Sequence, residues 1–125
     1  MPTPIVVKIG KLELKGELND SAAALAMAEV LPLEWRGSRW GDEYYGPPSK
    51  SFGEHPGESG IKMNVGDLAW YAPNDWFCLF FGPTPASTDS VPTAALPVQT
   101  VGNVSGDWDA LRKMGGSITA TISRA

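Results

Sequence analysis

The chain has 125 residues and a mass of 13.3 kDa, with 42% hydrophobic and 19% charged residues. That is ordinary globular composition at the size of one domain, so residues 1–125 are read as a single unit. The formal net charge of -4, with no run of five like charges, excludes a surface built to grip nucleic-acid phosphates.

In chain order, the first pattern is alternation. Ile5, Val7 and Ile9 alternate with Val6 and Lys8, and after Gly10 the residues Leu12, Leu14 and Leu18 alternate with Lys11, Glu13, Lys15 and Glu17. A period of two marks half-buried strands, and Gly10-Lys11 supplies a tight turn, so an opening β-hairpin is expected. Asn19-Asp20-Ser21 then offers capping side chains to a helix over Ala22–Ala28, which Pro32 ends by pushing Leu31 out of the helical region. Ala24, Met27, Ala28 and Leu31 share one face of it.

Leu33 to Tyr45 is aromatic and strand-like, punctuated by Gly37 and Gly41. Read as one strand, it points Trp40, Asp42 and Tyr44 to one side and Gly41, Glu43 and Tyr45 to the other. A loop rich in Gly, Pro and Ser runs from Gly46 to about Gly57. A weak strand follows over Ser59–Val65, and Val65-Gly66-Asp67 is a turn. Leu68–Tyr71 and Trp76–Phe81 are two aromatic strands joined by a turn at Ala72-Pro73-Asn74-Asp75. Gly82 to Pro97 reads as one long loop, Val98–Val104 as a strand, Asp107–Met114 as a short helix stopped by Gly115-Gly116, and Ile118, Ala120 and Ile122 as a closing strand.

The sum is mainly β: about eight short strands with one or two short helices, lacking the strand-helix-strand rhythm of a parallel sheet. A closed antiparallel β-barrel suits it, because closure removes the edges such aromatic strands would otherwise expose.

The chemistry-bearing residue types are sparse. Cys78 is the only cysteine and His55 the only histidine. No intrachain disulfide and no Cys/His zinc site can form, and no metal or cofactor is expected. Cys78 sits within Trp76-Phe77-Cys78-Leu79-Phe80-Phe81, an apolar setting that suits a buried thiol better than a reactive one. Motifs for phosphate loops, dinucleotide turns, HExxH zinc sites and GxSxG nucleophile elbows are absent. Met1-Pro2-Thr3-Pro4 has neither a cationic nor an apolar leader region, and no apolar stretch nears the ~20 residues of a membrane span. A cytoplasmic protein without membrane contact is therefore expected.

Four segments occur in a suggestive order: Leu31-Pro32-Leu33, Trp40-Gly41-Asp42-Glu43-Tyr44-Tyr45, Gly66-Asp67-Leu68-Ala69-Trp70-Tyr71 and Phe80-Phe81-Gly82-Pro83-Thr84-Pro85. With the opening hairpin they resemble a family of small prokaryotic proteins of unknown function with a cyclophilin-like fold. The resemblance covers nearly the whole chain and implies an eight-stranded barrel with a helix at an open end. It does not extend to the isomerase site of true cyclophilins. There is no Phe-His-Arg run, His55 stands between Glu54 and Pro56, and Gln99 is the only glutamine.

The aromatic segments carry the functional expectation. An acidic residue among aromatics is costly to bury unless it is hydrogen-bonded or paired, so Asp42 and Glu43 are candidates for the surface, for a structural network or for a cavity wall. The leading expectation is a binding module for a peptide segment or small molecule. Its aromatic-lined groove would be formed by Trp40, Glu43, Tyr45, Trp70 and Trp76, near His55. The alternatives are a peptidyl-prolyl isomerase, by fold analogy alone, and a carboxylate-assisted hydrolase using Glu43 and His55. Gly82-Pro83-Thr84-Pro85 either fixes a strand exit or frames the groove's mouth. Exposed aromatics also leave room for a homodimer.

Overall fold

In the computed structural model, which describes residues 2–53, 55 and 57–125, strands β1 (Thr3–Ile9) and β2 (Leu12–Leu18) form the opening hairpin, in register from Thr3↔Leu18 to Ile9↔Leu12. Gly10 turns the chain at φ +60°, a conformation that costs glycine little. The buried residues are Ile5, Val7, Ile9, Leu14 and Leu18, as the alternation requires. Helix α1 (Ala22–Glu29) starts at Ser21, whose side chain accepts from the Ala24 N–H at 3.3 Å. Eight residues make a marginal helix in isolation, and burial of Ala23, Ala24, Met27 and Ala28 in the barrel core supplies the stability.

Strand β3 (Leu33–Trp40) ends at Gly41, which turns at φ +58°, and β4 (Glu43–Gly46) returns beside it. The single strand expected here is a hairpin. The correction changes which side chains share a face, because Trp40 lies directly opposite Glu43 instead of across the sheet from it. The short strand β5 (Gly60–Lys62) precedes β6 (Asp67–Tyr71) and β7 (Trp76–Phe80). The turn between β6 and β7 is one turn of 3-10 helix over Ala72–Asn74, closed by Asp75 in the left-handed region at φ 52°. Strand β8 (Thr93–Ser105), helix α2 (Trp108–Arg112) and β9 (Ser117–Arg124) complete the chain. Asp107 caps α2 by accepting from the Ala110 N–H at 3.1 Å.

All pairings among named strands are antiparallel, and the order is β2-β1-β9-β3-β4-β7-β6-β8 with β8 returning to β2. Eight strands thus close a barrel, the architecture expected from the strand count. The ninth, β5, lies outside it and pairs only with the first part of β8.

That first part of β8 is the main departure from the expected elements. The strand begins at Thr93, five residues before the expected Val98, and takes in Pro97. Pro97 is tolerated because this part of β8 has left the barrel. It is exposed, and the register slips between Lys62↔Thr93 and Gly60↔Val98, so no ladder hydrogen bond need be lost to the missing N–H. The long loop shortens accordingly.

The arm formed by β5 and the start of β8 lies over the outer face of the barrel wall and creates a second, smaller core. Tyr44, Leu68, Trp70, Phe77 and Leu79 point into the main core, while Ala69, Cys78 and Phe80 meet Met63, Ala94 and Val98 of the arm. Burial of both faces explains why β6 and β7 read as continuous apolar runs instead of alternating ones. Among the described residues no helix is long and apolar enough to cross a membrane.

Candidate functional site

Between the arm and the wall lies a cleft of about 270 Å³. Trp40, Glu43 and Tyr45 come from the β3–β4 hairpin, Tyr71 from β6, and Trp76 and Cys78 from β7. Ala94, Ala95, Leu96 and Val98 of β8 form the opposite wall. The ring of Trp76 is flanked by Tyr45 at 5.2 Å and Tyr71 at 6.0 Å, tilted by 50° and 38°. Three aromatic rings therefore run in a row across β4, β7 and β6.

The Gly82-Pro83-Thr84-Pro85 segment holds the two walls together. The Asp42 N–H donates to the Pro83 carbonyl at 3.0 Å, and the Phe81 N–H donates to the Asp42 carbonyl at 2.9 Å. The Thr84 hydroxyl donates to the Thr93 carbonyl, at the first residue of the arm. A Cβ on Gly41 would come within 2.7 Å of the Pro85 ring, so the turn needs glycine for close approach as well as for φ. The motif thus couples the β3–β4 turn to the wall that faces it.

Among the described residues Glu43 is the one acidic residue lining this cleft. It is 6% exposed, and burial pushes its carboxyl up to about 8, against a smaller lowering from a hydrogen bond donated by the Cys78 thiol. At neutral pH the group is predominantly a neutral acid that can both donate and accept. Burial also pushes the Cys78 thiol well up, and the Glu43 charge and hydrogen bond add to the effect. A thiol so held is not a nucleophile at neutral pH.

Asp42 has the other fate open to an acidic residue here. It pairs with Arg39 at 3.0 Å and Arg112 at 3.1 Å. Both guanidinium groups lie over the Phe81 ring, at 5.0 and 5.9 Å. This cluster ties α2 to the β3–β4 turn. Arg36 is exposed, and among the described residues no arginine lines the cleft.

Of the six residues expected to form the groove, Trp40, Glu43, Tyr45 and Trp76 come together. Trp70 does not join them. It points inward from β6, 1% exposed, and its indole N–H donates to the Asp75 carboxylate at 2.7 Å. His55 lies on Trp70's side of the wall, with ring centroids 6.2 Å apart, hydrogen-bonded to the Phe52 carbonyl. Its own carbonyl accepts from the Gln99 side chain at 2.9 Å. Its neighbours Glu54 and Pro56 lie outside the described residues. Glu43 and His55 are therefore on opposite faces of the barrel wall, which removes the shared geometry a hydrolase built on both would need.

Tyr71 and Cys78 belong to the cleft and were not among the expected residues. Strand parity carried the signal. Tyr71 is the direct cross-strand partner of Trp76, so in the Leu68-Ala69-Trp70-Tyr71 run it is Tyr71, not Trp70, that shares Trp76's face. The arm residues carry no such signal, because Gly82 to Pro97 reads as loop. Among the described residues no group of three or more His, Cys, Asp or Glu is placed to hold a metal ion.

A second hollow of about 500 Å³ lies between the start of α1, β5 and β8, lined by Ser21, Glu58, Lys62 and Gln99 among others. It is more polar, and several of its walls are exposed surface.

Comparison with known proteins places these features in a family. No curated protein matches the chain. Among solved structures, a hypothetical protein from Archaeoglobus fulgidus, determined in solution, superposes with a TM-score of 0.77 at 26% identity. The match covers 99% of this chain and 95% of that one. The family model described as cyclophilin-like matches residues 3–123, nearly all of the barrel. The chain belongs to this cyclophilin-like family.

Proposed function

We propose that the protein is a binding module whose ligand enters the cleft between the β8 arm and the outer barrel wall. The observation that carries this reading is Glu43, a nearly buried carboxyl without a basic partner, at the floor of an aromatic-walled cleft. A fold gains nothing in stability from burying such a group, whereas a few convergent polar atoms within apolar walls are the usual make-up of a ligand site.

Size narrows the occupant. Ligand pockets commonly span roughly 300–1,000 Å³. At about 270 Å³ the cleft accommodates a small molecule or one anchoring side chain, not several residues of an extended peptide. Isomerase activity has only fold analogy behind it, since among the described residues no arginine lines the cleft.

Trp40 and Trp76 line the cleft and report on it. Titration with libraries of small metabolites and short peptides is expected to give saturable changes in tryptophan fluorescence that shrink when either indole is replaced by Phe and disappear when both are. Absence of any saturable response across both libraries removes the proposal.

A further inference from the structure

We propose that the ligand of this cleft is a small organic cation, with an alkylated ammonium head seated against the rings of Tyr45, Trp76 and Tyr71 and balanced by the Glu43 carboxylate. This rests on the binding reading above and names the chemical class that the cleft selects.

Three observations converge. The rings of Tyr45, Trp76 and Tyr71 form a row within 5.2 and 6.0 Å of one another, and Trp40 adds a second indole. Ring faces carry negative potential and attract cations, most strongly for tryptophan. Next, among the described residues the cleft contains one acid and no base. Its other titratable groups are Tyr45, Tyr71 and the Cys78 thiol, and no described lysine, arginine, histidine or aspartate lines it. A ligand anion would therefore find no counter-charge, whereas a cation supplies the one Glu43 lacks. Finally, the chain carries a formal charge of -4, a field that favours approach by cations.

The arrangement also specifies what happens to the proton. Glu43 holds it while the cleft is empty, because burial disfavours the carboxylate. An arriving cation favours the carboxylate, so the Glu43 O–H bond breaks and its proton passes to solvent as the ammonium takes its place. No bond to the ligand forms. Binding of the cation is thus coupled to release of one proton.

The test uses the full chain and four probes: choline, its uncharged carbon isostere neohexyl alcohol, propionate and the lactam pyrrolidinone. Isothermal titration calorimetry in buffers of differing ionisation enthalpy reads both affinity and proton release. Choline is expected to bind roughly tenfold or more tightly than neohexyl alcohol, with up to one proton released near neutral pH. Its affinity is expected to rise with pH and to level off above about 8. Glu43→Gln, which keeps the shape and stays neutral, is expected to abolish proton release and to lower the preference for choline over neohexyl alcohol to the part that the rings alone supply.

Equal or tighter binding of neohexyl alcohol overturns the inference and leaves an apolar binding cleft. Preference for pyrrolidinone overturns it in favour of recognition by the neutral acid as paired donor and acceptor. Preference for propionate overturns it as well. In all three cases the binding module survives. Silence from all four probes, alongside a hit in the wider libraries, ends the cation reading alone.

Discussion

Trp40 and Glu43 are direct cross-strand partners over a two-residue turn, which places an indole beside a buried carboxyl on the outside of the barrel. Asp42, within that turn, faces the other way into two arginines. Adjacent acidic residues thus have opposite electrostatic fates, one neutralised by partners and the other by its own proton. The consequences of the second are measurable.

Glu43 titrates near 4.5 when unfolded and about 8 when folded. Between those values the native state keeps a proton that the unfolded state has lost. Stability is therefore undiminished below pH 4.5 and declines as pH rises towards 8, by at most about 1.4 kcal/mol per pH unit. Glu43→Gln lacks this slope. Urea unfolding of both proteins at about pH 5 and about pH 8 is expected to show the variant gaining on the wild type by on the order of a few kcal/mol at the higher pH. Parallel curves would contradict a buried neutral carboxyl.

Cys78 offers a second check on the same pair. The thiol is 3% exposed and held protonated first by burial and then by Glu43. In native protein at about pH 8 an aromatic disulfide reagent is expected to react at least roughly tenfold more slowly than in urea. Glu43→Gln should speed the native reaction, since the carboxylate charge that opposes the thiolate is gone. A native thiol as fast as the denatured one would mean that the cleft is open to bulky reagents.

The Trp70–Asp75 bond makes a different claim, about the barrel's interior. Removing the acceptor strands an indole N–H in a core position, for which the usual cost is about 1–3 kcal/mol. Asp75 also sits at φ 52°, where alanine is strained and asparagine is tolerated. Asp75→Ala is therefore expected to lower the urea midpoint clearly and Asp75→Asn only slightly. Equal losses in the two variants would mean that the hydrogen bond contributes little.

These residues also show what the sequence made legible. Period-two alternation gave the hairpin β1–β2 and strand β9, because each has one face in the core and one in water. Turn residues located the β6–β7 connection. The groove was half legible. Trp40, Glu43, Tyr45 and Trp76 lie in it, but composition alone could not separate Trp70 from Tyr71, since β6 is buried on both faces and its apolar run hides the parity. Gly41 read as punctuation in one strand, although a left-handed glycine beside Asp42 is the signature of a tight hairpin. The arm was hidden by Pro97, which argues against a strand wherever both ladder sides are used and is harmless where β8 stands clear of the barrel.

Two glycines, both at positive φ, separate conformational strain from close packing. Gly10 has φ +60° and open space where a Cβ would lie, so Gly10→Ala is expected to cost only the backbone term, about 1–2 kcal/mol. Gly66 has φ +94°, and a Cβ there would lie 2.2 Å from the Val104 carbonyl oxygen. Its N–H donates to Phe80 at 2.7 Å and its carbonyl accepts from Val104 at 2.9 Å, so the segment joins β7 to β8 and cannot move aside without breaking one of these bonds. Gly66→Ala must therefore bear the strain and in addition lose a buried hydrogen bond or displace β8, for a total of roughly 3 kcal/mol or more. Urea midpoints of the two variants measured side by side decide the point. Equal losses would mean that β7 and β8 are free to separate at Gly66, and with them the barrel wall that carries Glu43.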